Sequence, residues 1–360
     1  MSPLSPNPVT HALSGAPARF RGGLREVAPR TWAWLQPNGG LGESNAGLIA
    51  GERESLLVDT LWDERLTRRM LGAMHEPLAN APLRRAFVTH PDGDHWWGNG
   101  ALPSGVEIAA LPACDRAMRA EAPPRVLNGL GATAAVLGRT PGRVGAVAQR
   151  GHAMVAPFHW RGVRLRFADV LLEPAERVTV GDRSLPAATL DVGGREVRVL
   201  DVGPAHTAAD AIVHVPDTGV VFAADMLFIG VVPVMWHGPV ETWLAALETL
   251  LALDADTYVP GHGPPCGRTE IEELVAYWHW LREGVAEQRA AGRSASEAAK
   301  LLVQSREHAR WAAWEGPERV VVNVATIYRN LDGGPFEVSP PARGKLLAQT
   351  VALGERLARG

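Results

Sequence analysis

The chain has two cysteines, no long apolar run and no block of like charge, and each of these shortages excludes something. Cys114 and Cys266 lie far apart and outside any C-x-x-C spacing, so neither a disulfide framework nor a thiolate zinc site is expected. Both read as reduced thiols in packed surroundings. Nothing apolar approaches the ~18 residues of a membrane span, and the opening M-S-P-L-S-P-N-P lacks the charged-then-apolar order of a secretory signal. The expected setting is the cytoplasm, with no membrane partner. A formal net charge of -3 without runs of Lys or Arg argues against nucleic acid. Also missing are a G-x-S-x-G elbow, a G-x-G-x-x-G turn and a Walker loop, so nucleophile-elbow hydrolases, dinucleotide enzymes and P-loop NTPases lose their usual support.

What is present is a chain of 360 residues, 46% hydrophobic, long enough for a large core. Residues 1–23, rich in Pro, Ala and Ser, read as a flexible tail. Beyond them, R-T-W-A-W-L, N-A-G-L-I-A and S-L-L-V-D-T are short apolar segments separated by P-N-G-G and G-E-R-E turns, the pattern of antiparallel strands. Helical spacing follows over 63–75, with Leu66, Met70, Leu71 and Met74 on one face, and R-R-A-F-V-T then reads as a buried strand. Residues 100–165 carry helical fragments near Cys114 to Glu121 among Gly and Pro breaks. Strand patterns return from R-V-T-V to G-V-V-F-A-A-D, and 242–253 reads as a helix. After P-G-H-G-P-P the chain is helical almost to its end, opened by a T-x-x-E capping box at Thr269 and Glu272. The expected division is a tail over 1–23, a catalytic domain over 24–267 and a helical extension over 268–360.

The chemistry concentrates in T-H-P-D-G-D-H-W-W-G-N, Thr89 to Asn99, where His90, Asp92, Asp94 and His95 fall on a loop after a buried strand. Imidazole nitrogens and carboxylate oxygens are ligands for zinc, iron or manganese, although Asp in a P-D-G turn can equally bond its own backbone. Three further sites follow in order, each at a strand end: G-P-A-H with His206, F-A-A-D with Asp225 and V-P-G-H with His262. This ordered set resembles the metallo-β-lactamase superfamily, including its glyoxalase II-like hydrolases, over residues 24 to 265.

The resemblance implies an α/β fold, an αββα sandwich with metals at one edge and here a helical C-terminal extension. It implies that His90, Asp92 and His206 hold one metal, that Asp94, His95 and His262 hold another, and that Asp225 bridges them. Asp59, closing S-L-L-V-D-T, matches an aspartate that stands behind the ligands; as a sequence feature alone it could equally cap the strand. Asp92 departs from the family's H-x-H-x-D-H loop, which has histidine at that position. A third carboxylate makes the centre more anionic and friendlier to iron or manganese relative to zinc.

The reaction implied is hydrolysis of a small ester, thioester, lactone or amide by hydroxide bridging two divalent ions, zinc first among them, with Asp94 orienting the nucleophile and moving its proton. Two alternatives use the same ligands: a diiron oxidoreductase or oxygenase, which Asp92 favours, and a cyclase or lyase. Trp96, Trp97, Phe228, Met235, Trp236 and His237 lie beside the metal loops and are candidates for contacts to an apolar or aromatic substrate, with ordinary core packing as the competing reading for the tryptophans. His214 and His279 read as structural or exposed. The helical extension is expected to be a packing layer, a lid or a homodimer surface, the last two motivated by the aromatic run Tyr277 to Trp280 and by N-V-A-T-I-Y-R-N.

Overall fold

The computed structural model describes residues 9–359. Its strands and helices run β1 (Val9–His11), β2 (Pro17–Ala28), β3 (Thr31–Leu35), β4 (Ala46–Ala50), β5 (Ser55–Val58), α1 (Glu64–Ala73), α2 (His75–Asn80), β6 (Leu83–Val88), β7 (Glu107–Ala110), α3 (Pro112–Ala120), α4 (Pro124–Leu137), α5 (Gly142–Val155), β8 (Val170–Leu171), β9 (Glu176–Val180), β10 (Arg183–Asp191), β11 (Glu196–Asp201), β12 (Ala211–Val215), β13 (Val220–Phe228), α6 (Val240–Ala252), β14 (Thr257–His262), α7 (Arg268–Ala290), α8 (Ala295–Val303), α9 (Val320–Leu331) and α10 (Pro340–Leu357).

The strands form two sheets. One follows chain order from β1 to β8, antiparallel as far as β5 and parallel from there; the other runs β14-β13-β12-β11-β10-β9, with only β13 and β14 parallel. Their inner faces share one buried cluster, in which Leu48 and Leu57 of the first sheet join Val199, Val213 and Phe222 of the second. A Cβ at Gly47 would stand 2.2 Å from a Phe222 ring carbon, so this close approach of the sheets requires glycine. The outer face of the second sheet carries a separate core with α6 to α9: Trp243 packs against Trp278 at 4.6 Å between ring centres, and Tyr277, Trp278, Val324 and Ile327 are buried. Helices therefore cover the two sheets from outside, which is the αββα sandwich with a helical C-terminal layer.

Several expectations change. The tail does not extend to residue 23: Val9–His11 and Pro17–Ala28 are strands, because β2 pairs along β3 from Gly23↔Leu35 to Ala28↔Thr31. Residues 1–8 of that expected tail lie outside the described residues. The boundary expected at 23/24 thus falls inside a strand. Helix α7 is capped two residues earlier than the T-x-x-E pattern suggests, with Glu270 Oε2 accepting the Gly267 N–H at 3.0 Å. Tyr277 and Trp278 are core residues, so the aromatic run is not a docking surface at those positions. His214 is buried on β12, as a structural residue would be, and His279 is exposed. Helices α4 and α5 are two full helices where the sequence reads only as breaks. Among the described residues, no helix is long and apolar enough to cross a membrane.

Candidate metal centre

The expected ligands come from the C-terminal ends of several strands. Val88 ends β6, and the next residues carry His90, Asp92, Asp94 and His95, the last two in a short 3-10 turn over Gly93–His95. His206 lies in the loop from β11 to β12, Asp225 in β13 and His262 at the end of β14. Asp225 reaches its place because Gly261 makes room: a Cβ there would stand 1.8 Å from Asp225 Oδ1. The neighbouring loops are pinned by polar bonds, Asn45 Nδ2 donating to the Pro260 and Gly263 carbonyls at 2.9 and 2.8 Å and Ser44 Oγ to the Asp94 carbonyl at 2.6 Å.

All seven side chains converge. Asp225 is the centre of the group, with its carboxylate oxygens 3.7 Å from His90 Nε2, 3.1 Å from His95 Nε2, 3.2 Å from His206 Nε2 and 3.6 Å from His262 Nε2. His90, Asp92 and His206 offer one donor atom each within 4.8 Å of one another, and so do Asp94, His95 and His262. On the first side Asp92 Oδ2 lies 3.1 Å from His206 Nε2; on the second, Asp94 Oδ2 lies 3.4 Å from His262 Nε2.

The rings are turned so that Nε2 faces this space. His90 Nδ1 lies 2.9 Å from Thr89 Oγ1, His95 Nδ1 lies 2.9 Å from Asp59 Oδ2, and His206 Nδ1 donates to the Val234 carbonyl at 2.5 Å. Phe228 stacks on the His262 ring at 4.9 Å. Asp59 also accepts the Thr89 N–H and hydroxyl at 2.8 and 2.7 Å, so it both caps the end of β5 and holds His95. Its backbone is left-handed, φ 62°, a conformation that Asp adopts more readily than most residues. Asp210, which sequence reasoning missed, closes the turn under His206 by accepting the Ala205 and Thr207 N–H groups.

The electrostatics ask for a cation. Burial works against a charged ring at His206, but Asp225 and Asp92 outweigh it and raise its pKa to about 9; at His90 burial and the neighbouring His95 push it down to about 3. Burial also works against an ionised Asp94, yet its bond to His262 and the charges of His95 and His262 bring it below its ordinary value. Asp92 is held well below the carboxylate range, burial being overcome by Arg343 and His206. The Nε2 atoms of His90, His95 and His206 and Oδ1 of Asp225 are buried and make no hydrogen bond. Buried polar atoms without partners are costly, and here they point into one small space. A divalent metal held by these residues would satisfy them together.

Among the proposed substrate contacts, Trp96, Trp97, Phe228 and Met235 are buried to 2% exposure or less and pack in the core. Trp96 and Trp97 instead aim both indole N–H groups at one oxygen of Glu121, at 3.2 and 3.1 Å. Trp236 and His237 remain half-buried. The loop that carries them is held by the helical extension: Asn323 bonds Met235 N and the Pro233 carbonyl, Arg329 the Trp236 carbonyl and Asn330 the His237 carbonyl. Sequence reasoning missed these and two more. Glu121 follows α3, and Arg343 of α10 reaches Asp92; no motif marks either. Cys266, near His262 in sequence, is half-buried, with its thiol pushed up by burial.

A groove of about 750 Å³, lined by Arg30, Glu52, Arg195 and Asp217 among others, lies at the opposite ends of these strands. Arg195 there bonds the Pro29, Arg30 and Ala50 carbonyls and pairs with Asp217, which ties the sheets together. It holds no set of metal ligands.

The profile of the metallo-beta-lactamase superfamily matches residues 39–111 and 130–262. The chain belongs to the metallo-beta-lactamase superfamily. Its gap at 112–129 covers α3 and the start of α4, the helices that bring Glu121. The 2,4-dinitroanisole O-demethylase subunit alpha of Nocardioides sp. (strain JS1661) is 24% identical over 235 residues, 64% of this chain and 56% of that protein, so the chain spans little more than half of this relative's length. Among solved structures, a double mutant of the sec-alkyl sulfatase PisA1 superposes with a TM-score of 0.62 at 18% identity, over 90% of this chain and 53% of that one. A metallo-beta-lactamase from Pontibacter korlensis gives 0.49 at 15% identity, over 71% of this chain and 98% of that one. At such identities the likeness to solved structures concerns the fold.

Proposed function

We propose that this chain is a hydrolase that uses two divalent metals to cleave a small, aromatic ester-type substrate. The observation that carries the reading is Asp225 standing within 3.1–3.7 Å of four histidine Nε2 atoms, flanked by Asp92 and Asp94. His90, Asp92 and His206 would hold one ion and Asp94, His95 and His262 the other, with Asp225 shared. The bound ions would supply Lewis acidity, drawing the pKa of water toward neutrality and polarising the bond under attack.

The protein's own groups do the rest. Asp92 and Asp94 are each 15% exposed while the histidines are 5% or less, so the aspartate side is where substrate and water enter. Asp94, partly exposed beside His262, orients the attacking water and accepts its proton. His90, His95 and His206 are locked by their Nδ1 contacts and keep the geometry fixed through the reaction. The substrates proposed are esters, thioesters, lactones and amides, and the name of the Nocardioides relative adds aryl ethers to them.

A second reading, a diiron oxidoreductase, is favoured by the third carboxylate at Asp92 and is compatible with that relative's O-demethylase name. Elemental analysis of protein purified without added metal, with spectra before and after exposure to air, separates them. About two zinc per chain and turnover of aryl esters or ethers without oxygen support hydrolysis; two irons with an oxygen-sensitive band support oxidation. Full activity and metal content in His90→Ala and His262→Ala would sink both.

A further inference from the structure

Arg343 lies 251 residues beyond Asp92, yet α10 brings its Nη1 and Nη2 to 3.4 Å from Asp92 Oδ1. The pairing is loose. A guanidinium committed to a carboxylate makes two parallel bonds of ~2.7–2.9 Å to two oxygens. Here two nitrogens share one oxygen at longer reach, and the other oxygen of Asp92 faces His206. The guanidinium rests on Trp236, 4.6 Å from the ring centre, which fixes its place without using its in-plane donors. Its side chain is 30% exposed, so it borders both the centre and solvent.

The surroundings leave its charge available. Arg329, close by, spends its bonds on the Trp236 and Phe336 carbonyls and adds to the positive field. Glu121, on the same side, has its carboxyl pushed up by burial and by the charge of Asp92, which disfavours a second negative charge beside the arginine. Asp92 is the carboxylate that Arg343 faces, and a metal would draw on it.

We propose that Arg343, seated on Trp236 at the Asp92 end of the centre, binds the aryl oxyanion that the substrate releases. This rests on the hydrolase reading and names where its leaving group goes. In the cleavage, the C–O bond breaks with its electron pair passing to the aryl oxygen, water gives hydroxyl to the other fragment, and its remaining proton passes to Asp94. The negative oxygen then meets the in-plane donors of Arg343, whose face stays on Trp236.

The test is equilibrium binding of 4-nitrophenolate to the metal-loaded full chain, at a pH where the phenol is ionised, with neutral 4-nitroanisole alongside. Arg343→Gln is expected to weaken the phenolate about 10–100-fold, the weight of a charge-assisted bond, and to leave 4-nitroanisole within about twofold. Arg343→Lys should recover part of the loss. Equal phenolate affinity in wild type and Arg343→Gln overturns the proposal. So does phenolate loss that comes with metal loss, because the effect then runs through Asp92. Metal content keeps the two readings apart: protein that takes up no metal but still needs Arg343 for phenolate refutes the hydrolase reading alone, whereas metal-loaded protein indifferent to Arg343 refutes this inference alone.

Discussion

The Asp94 half of the centre and the Asp92 half offer the same ligand types but are held by different parts of the chain. Behind the Asp94 half stands the sandwich itself: Asp59 at the end of β5 grips His95, Ser44 and Thr60 bond the carbonyls of Asp94 and His95, and Phe228 backs His262. The Asp92 half leans on the helical extension. His206 is oriented by the Val234 carbonyl, on a loop that Asn323 and Arg329 clamp, and Asp92 faces Arg343. One half is therefore preorganised within the family fold, and the other is completed by helices beyond the matched residues. The difference suggests that the Asp94 half carries chemistry common to the fold and that this chain's specificity resides in the Asp92 half.

The strongest way to break that division is at Asp225, which faces histidines of both halves. Asp225→Ala should empty both halves, taking metal from about two per chain to near none and removing turnover, as elemental analysis would record. His262→Ala should cost the Asp94 half alone and His90→Ala the Asp92 half alone, each leaving about one metal. A protein that keeps both metals without Asp225 does not have a shared centre.

A smaller effect separates the supports. Asp59→Asn tolerates the left-handed backbone at this position, so it removes the charge behind His95 without straining β5. Metal affinity should fall ~10–100-fold at the Asp94 half, with the Asp92 half little changed, in a chelator competition titration. Equal losses at both halves would mean that Asp59 acts through the fold. Asp92→His should be milder still: the half that contains it should move toward zinc over iron or manganese in a metal competition, since imidazole is the more permissive donor.

The same division explains what could be read from the sequence. The Asp94 half, and the ligands generally, were legible because each lies at a strand end with a short-range signature: H-P-D-G-D-H, A-H-T, A-A-D, P-G-H. The alternating strands and the α7 stripe were legible for the same reason, since burial on one face writes a period into the sequence. Strands β1 and β2 were not, because β2 alternates weakly and its partners, not its composition, hold it. Helices α4 and α5 were hidden by Gly129, Gly131, Gly142, Gly145 and Gly151, which read as breaks, and by apolar residues such as Leu130 and Val136 that stay exposed and give no clear stripe. Arg343 and Glu121 reach the centre only through tertiary packing. The surroundings of the tryptophans were hidden for the same reason: Trp96 and Trp97 are buried, with the Trp96 indole bonding the Pro91 carbonyl and both indoles facing Glu121.

Glu121 gives the finest test of the two halves. Its carboxyl, ordinarily at 4.5, is pushed up to about 8 by burial first and then by Asp92, with Asp94 a weaker contributor, while Arg343 and the Trp97 indole pull it down. Between those values the folded chain keeps a proton that the unfolded chain has released, so the folded state loses stability as pH rises from 4.5 to 8 and changes little outside that window. Glu121→Gln keeps an acceptor for the indoles and does not titrate. In chelator-treated protein its urea midpoint should therefore gain on wild type as pH rises through the window, and parallel curves would show that the carboxyl titrates normally. A metal at the Asp92 half screens the charge that raises Glu121, so loading should shift the window downward. That shift should persist in His262→Ala, where the Asp92 half is intact, and shrink in His90→Ala. If the reverse holds, Glu121 senses the Asp94 half, and the helical insertion that carries it belongs with the preorganised side of the centre.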